Sequence, residues 1–137
     1  MIQSFVMGKI KLALLDANIV YLAALTDFLS SREEFEVVAE GCDIDELMDS
    51  LEGENADILI ADSEFLDGDD LLSLLGPFQG NPDMRLLIMG FDLPEQWLRE
   101  RRDDAQVSFL SKDCDHSQLG NRLVYIGSYC GSRYRGY

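Results

Sequence analysis

Asp57-Ile58-Leu59-Ile60-Ala61-Asp62-Ser63-Glu64 is the stretch on which the reading of this chain turns. Unbroken apolar residues from Ile58 to Ala61, with an acid at either end, have the pattern of a strand covered on both faces, the habit of parallel sheets. A strand with one wet face would alternate, and this one does not. The run ends on Asp62, and Ser63, Glu64, Asp67, Gly68, Asp69 and Asp70 follow at once. A carboxylate at the carboxyl end of a central strand stands where open α/β sheets bind their ligands. Taken alone, Asp62 reads more simply as a cap on the following loop or helix, so residues elsewhere must decide.

Similar apolar runs occupy Ile10 to Leu15, Phe35 to Ala39, Leu86 to Met89 and Val107 to Leu110. Helical patterns lie between them. Leu22, Leu25, Phe28 and Leu29 form a stripe with Asn18 as N-cap. Asp43 with Glu46 resembles a capping box, and Ile44, Leu47, Met48 and Leu51 keep helical spacing. A short third helix is expected over Leu71, Leu72, Leu74 and Leu75, stopped by Gly76-Pro77. A fourth opens at Pro94, carries Trp97 and Leu98, and ends on Arg99, Arg101 and Arg102. Asp115 with Gln118 opens a last helix whose inner face is Leu119, Leu123, Ile126 and Cys130, with Gly120 and Gly127 weakening it. This alternation of strand and helix predicts a single doubly wound α/β domain, a parallel five-stranded sheet covered on both faces. Residues 1–8 read as an N-terminal extension, 9–130 as the domain, and 131–137 as a polar, Gly-rich tail.

A chain of 137 residues suits one compact domain that buries about two-thirds of its unfolded surface. Its hydrophobic content of 47% argues against disorder. Eleven basic against 26 acidic residues give a net charge of −15, which repels nucleic acid and anionic membrane. The acids crowd together: no Lys or Arg lies between Arg32 and Arg85, a pattern of a solvated face or of a cation site. Cys42, Cys114 and Cys130 form no C-x-x-C pair, which argues for a reducing compartment and against a disulfide framework or structural zinc. No apolar run approaches the roughly 20 residues of a membrane span, and the first residues lack the charge and apolar core of a signal peptide. A cytoplasmic location is expected.

In a right-handed doubly wound sheet the first and third strands are neighbours, and their carboxyl ends flank the crevice. The first run ends at Asp16 and the third at Asp62, and the fifth delivers Lys112 to the same edge. Carboxylates at adjacent strand ends suit Mg²⁺, which takes one or two of them and keeps several waters. A lysine beside them can neutralise a bound phosphoryl group.

At these residues the sequence resembles the receiver domain of bacterial two-component response regulators, from about Lys9 to Tyr134. Asp16 falls at the first of the family's paired acids, Asp62 at the phosphoacceptor, and Lys112, in Phe109-Leu-Ser-Lys-Asp113, at the lysine closing the fifth strand. Phe35-Glu-Val-Val-Ala-Glu-Gly41 looks like the second strand of the LuxR/NarL-like branch, and Gly131-Ser-Arg-Tyr134 like the segment leading to its DNA-binding domain. The resemblance implies a flavodoxin-like (βα)5 fold with strand order 2-1-3-4-5. It implies phosphoryl transfer from a sensor histidine kinase to Asp62, with Mg²⁺ held by Asp16, Asp62 and the backbone carbonyl of Glu64, and Lys112 on the phosphoryl oxygens. Such a domain is not an enzyme beyond self-phosphorylation and autodephosphorylation of Asp62. It controls transcription through a domain outside this chain, which alone would contact DNA, and a homodimer is compatible with it.

The departures are specific. Ala17 stands where the second acid belongs, so Mg²⁺ binding is expected to be weak. Gly90 stands where a Ser or Thr hydroxyl follows the phosphoryl group, and Leu66 replaces the usual proline. Phe109 keeps an aromatic at the switch position, and without a hydroxyl at Gly90 it reads better as core filling. The alternative is therefore a degenerate receiver that works, independently of phosphorylation, as a protein-interaction or dimerisation module. A haloacid dehalogenase type of aspartyl hydrolase fits poorly, since Asp62-Ser-Glu-Phe-Leu66 ends in Leu66 where that chemistry needs a hydroxyl.

Overall fold

Each apolar run becomes a strand, and most extend past it into polar or glycine residues. The computed structural model describes residues 8–66, 84–93, 95 and 107–128. Its strands are β1 (Ile10–Leu15), β2 (Phe35–Gly41), β3 (Ile58–Asp62), β4 (Arg85–Gly90) and β5 (Val107–Ser111). All pair in parallel, in the order β2-β1-β3-β4-β5 expected of the doubly wound fold. The extensions follow from the ladder, whose backbone pairing continues past the apolar run: Asp62 pairs with Met89 and Gly90 with Ser111. Between Leu12 and Ala13 the register with β2 jumps from Val37 to Ala39, leaving Val38 as a bulge.

Alternate strand residues feed two cores. On one face Leu12, Leu14, Ile58, Ile60, Leu87 and Met89 meet helices α1 (Ile19–Ser30) and α3 (His116–Gly127). On the other Ala13, Leu15, Leu59, Ala61, Leu86 and Ile88 meet α2 (Ile44–Leu51). Every residue of β3 is buried, which is why its sequence does not alternate. Among the described residues no helix is long and apolar enough to cross a membrane. The expected helix over Leu71–Leu75 and, apart from Glu95, the one after Pro94, with Trp97 and the Arg99–Arg102 cluster, lie outside the described residues, as do Cys130 and the tail.

The helix ends follow local chemistry. Asn18 Oδ1 accepts from the N–H groups of Val20 and Tyr21, both at 3.1 Å, and so caps α1. Asp115 and Gln118 close the capping box of α3. The α2 box differs from expectation. Asp43 accepts from Glu46 N–H at 2.8 Å, but Glu46 reaches back to the N–H of Cys42 at 2.9 Å rather than to that of Asp43. The glycines of α3, poor for helix propensity, stand at close approaches: a Cβ on Gly127 would press into the Ile10 side chain and one on Gly120 into the Arg32 guanidinium.

Asp57, the acid at the other end of the decisive stretch, is structural. Its side chain is buried and its Oδ2 accepts from Lys11 N–H at 2.8 Å, while its own N–H donates to the Lys11 carbonyl at 2.7 Å. It thus fastens the amino end of β3 to β1, at the opposite end of the strand from Asp62.

Candidate functional site

Asp16 lies one residue beyond β1, and its N–H still donates to the Gly41 carbonyl at 3.2 Å, so the ladder fixes its backbone. Its Oδ1 accepts from Asn18 N–H at 2.9 Å, an Asx-type turn that orients the carboxylate before α1 begins. Asp62 is the last residue of β3. Lys112 follows β5, and its N–H donates to the Gly90 carbonyl at 2.9 Å, tying it to the end of β4. Three backbone ladders thus present three side chains at one edge of the sheet.

Their head groups meet. Lys112 Nζ lies 2.7 Å from Asp16 Oδ2 and 2.9 Å from Asp62 Oδ1, with all three side chains no more than 8% exposed. The ring of Tyr21, in the first turn of α1, lies under the ammonium with its centroid 4.2 Å from Nζ, a cation–π contact. Phe91, 67% exposed, stands at the rim with its centroid 5.7 Å from Nζ.

Burial disfavours the Lys112 ammonium, but hydrogen bonds and attraction from Asp16 and Asp62 outweigh it and hold its pKa above the ordinary 10.5. Burial pushes the Tyr21 phenol up from 10.0, against the opposing pull of Lys112. Both groups bind their proton more tightly folded than unfolded. The stability they contribute is complete below the unfolded values near 10 and is lost as pH rises through the folded ones. Thermal melts from pH 8 to 11.5 should therefore hold level to about pH 10 and then fall, and Lys112→Met should flatten that fall.

Other expected site residues are placed differently. Glu64 is exposed in a single 3-10 turn, Ser63–Leu66. Ala17 is exposed at the rim, and Gly90 is buried at the end of β4. Phe109 is half-buried against the α2-side core, and its carbonyl accepts from Arg122 Nη1 at 3.0 Å. His116 stacks on Phe28 with centroids 4.0 Å apart. Tyr21 escaped the sequence reading; the signal was its place one helical turn after Asp16, where α1 must pass over the strand ends.

Asp16 and Asp62 are hard oxygen donors of the kind a hydrated Mg²⁺ accepts. Among the described residues no group of three or more His, Cys, Asp or Glu side chains forms a protein cage for a metal. The donor set therefore fits a largely water-coordinated ion, and any such ion shares its ligands with the Lys112 ammonium.

No protein-family model and no curated protein matches the sequence. Solved structures do match it in fold. A response regulator from Thermotoga maritima superposes with a TM-score of 0.71 at 17% identity, over 88% of this chain and 98% of that one. The fold is the CheY-like receiver fold. The Vibrio cholerae chemotaxis protein CheY4 shares it at a TM-score of 0.63 and 14% identity, over 86% of this chain and 98% of that one. A candidate pilus assembly-related protein of Burkholderia pseudomallei also shares it, at a TM-score of 0.71 and 21% identity, over 93% of this chain and 96% of that one. At these identities the receiver fold is what is common, and the chemistry of the site rests on Asp16, Asp62 and Lys112 themselves.

Proposed function

We propose that this chain is a signalling receiver domain in which Asp62 accepts a phosphoryl group from the phosphohistidine of a partner kinase. The single observation that carries this reading is the convergence of Asp16, Asp62 and Lys112 from three strand ends, with Nζ at 2.7 and 2.9 Å from the two carboxylates.

In the transfer a carboxylate oxygen of Asp62 bonds to phosphorus as the phosphorus–nitrogen bond of the donor breaks, and the leaving imidazole keeps the electron pair and takes up a proton. The chain has little covalent chemistry to perform. It positions the acceptor and neutralises charge. Lys112 releases part of its hold on Asp62 and turns to the incoming phosphoryl oxygens, while Asp16 anchors the other side of the ammonium. The Tyr21 ring and the surrounding burial raise the strength of these interactions above what water would allow. Asp16 and Asp62, with the backbone carbonyl of Glu64, would hold Mg²⁺, whose charge helps neutralise the phosphoryl oxygens. An acyl phosphate would then bias the packing at the ends of β4 and β5 and so a partner surface. Control of transcription would pass through a DNA-binding domain outside this chain, since a net charge of −15 repels DNA.

The test is incubation with acetyl phosphate and Mg²⁺ followed by intact mass. A single phosphate adduct is expected on the wild type and none on Asp62→Asn; an unchanged adduct on Asp62→Asn would refute the assignment.

A second reading, an interaction module that works without phosphate, is favoured by Ala17 and by Gly90. Under it, Asp62→Asn leaves partner binding untouched; under the first, it removes the response.

A further inference from the structure

Gly90 is glycine because another side chain already stands in its place. A Cβ built on Gly90 would collide with Ser63 Oγ and lie 2.9 Å from Ser63 Cβ, with Leu93 Cδ2 at 3.1 Å. Real Cβ atoms are not found so close to a backbone-anchored neighbour. Ser63 directly follows Asp62 and opens the 3-10 turn, which folds its side chain across the end of β4. The neighbouring strand end is pinned by the Lys112 N–H on the Gly90 carbonyl at 2.9 Å, so β4 cannot simply step aside.

The Ser63 side chain is half-buried, and among the described residues its hydroxyl has no hydrogen-bond partner. A hydroxyl left without a partner on the residue next to an acceptor aspartate is a donor in reserve. A phosphoryl group on Asp62 would bring three oxygens to this edge, and Lys112 Nζ, committed to the Asp16 side at 2.7 Å, covers only one flank.

We propose that Ser63 is the hydroxyl donor to a phosphoryl group on Asp62, and that Gly90 is its steric counterpart, the two positions sharing one side-chain volume. This rests on the phosphoacceptor reading above. A hydroxyl carried on β4 is replaced by one carried on the turn just past β3, next in sequence to the acceptor itself. Phosphorylation would then be sensed by the turn Ser63–Leu66 rather than through a side chain at the end of β4.

The experiment compares wild type, Ser63→Ala, Gly90→Ser and the exchange Ser63→Gly/Gly90→Ser. Each is labelled with acetyl phosphate and Mg²⁺ and followed by intact mass, with a thermal melt as a check on folding. Ser63→Ala should slow adduct formation about tenfold with an unchanged melt, the loss expected for one charge-assisted donor. Gly90→Ser alone should lower the melting temperature, and the exchange should recover both the melt and the labelling rate. Labelling of Ser63→Ala at the wild-type rate, or an exchange no faster than Ser63→Ala, would overturn the assignment of Ser63 while leaving Asp62 as acceptor. Wild type that takes no adduct at all would remove the phosphoacceptor reading and this inference together.

Discussion

Lys112→Met should cost about 3–5 kcal/mol of folding stability at neutral pH, a fall in melting temperature on the order of 10 °C. The substitution keeps an apolar stem of similar length and removes the ammonium with its charge and its hydrogen-bond donors. It leaves Asp16 and Asp62, which one nitrogen now holds at 2.7 and 2.9 Å, as buried anions facing each other without a counter-ion. Asp62→Asn is the instructive contrast. It reduces two acids around one ammonium to a balanced pair, and its cost should stay within about 1 kcal/mol. Adding Asp62→Asn to Lys112→Met should recover much of the loss, a coupling that a double-mutant cycle reads directly.

The pH dependence of that loss has a definite sign. In wild type Asp16 and Asp62 hold the Lys112 pKa above its ordinary value, so the stability that its charge contributes is complete below about pH 10 and is lost as pH rises through the folded value. The gap between wild type and Lys112→Met should therefore narrow above about pH 10 in urea titrations. A gap that is constant across this range would mean that the lysine stem, and not its charge, supports the site.

The strands were legible because apolar runs such as Ile58 to Ala61, covered on both faces, have no reason to alternate, and their order was legible through the resemblance to receiver domains. The meeting of Asp16, Asp62 and Lys112 was legible for a related reason: in a parallel sheet every strand ends at the same edge, so residues just past the apolar runs must assemble there. What sequence could not supply was the lateral packing. Asp57 and Asp62 bracket one strand symmetrically, yet only pairing shows that the first fastens Lys11. Gly90 looked like a missing hydroxyl, and only the path of the turn after Asp62 places Ser63 over it. The glycines of α3 looked like propensity defects, and they are contacts with Ile10 and Arg32. In each case the deciding partner is remote along the chain or lies across a strand, where periodicity carries no information.

Ala17→Asp should tighten divalent cation binding about tenfold or more, the usual scale on which a supporting carboxylate sets metal affinity. Position 17 is exposed beside Asp16, so the added side chain has room and lies on the solvent side of the pair. In wild type the edge carries two carboxylates and one ammonium, and an incoming Mg²⁺ must share its oxygens with Lys112 Nζ. A third carboxylate changes that balance in two opposite ways. Without cation it adds a like charge and should destabilise the fold by about 0.5–1 kcal/mol, more at low salt than at high. With cation the same charge becomes a ligand or an anchor for metal-bound water, and saturating Mg²⁺ should raise the melting temperature further in the variant than in wild type. Calorimetric titration with Mg²⁺ and with Mn²⁺, paired with melts at low and high Mg²⁺, separates the two effects. Equal cation affinity in Ala17→Asp and wild type would mean that Asp16 and Asp62 remain closed on Lys112 whatever stands beside them, and the ammonium would then be the resident cation of this edge.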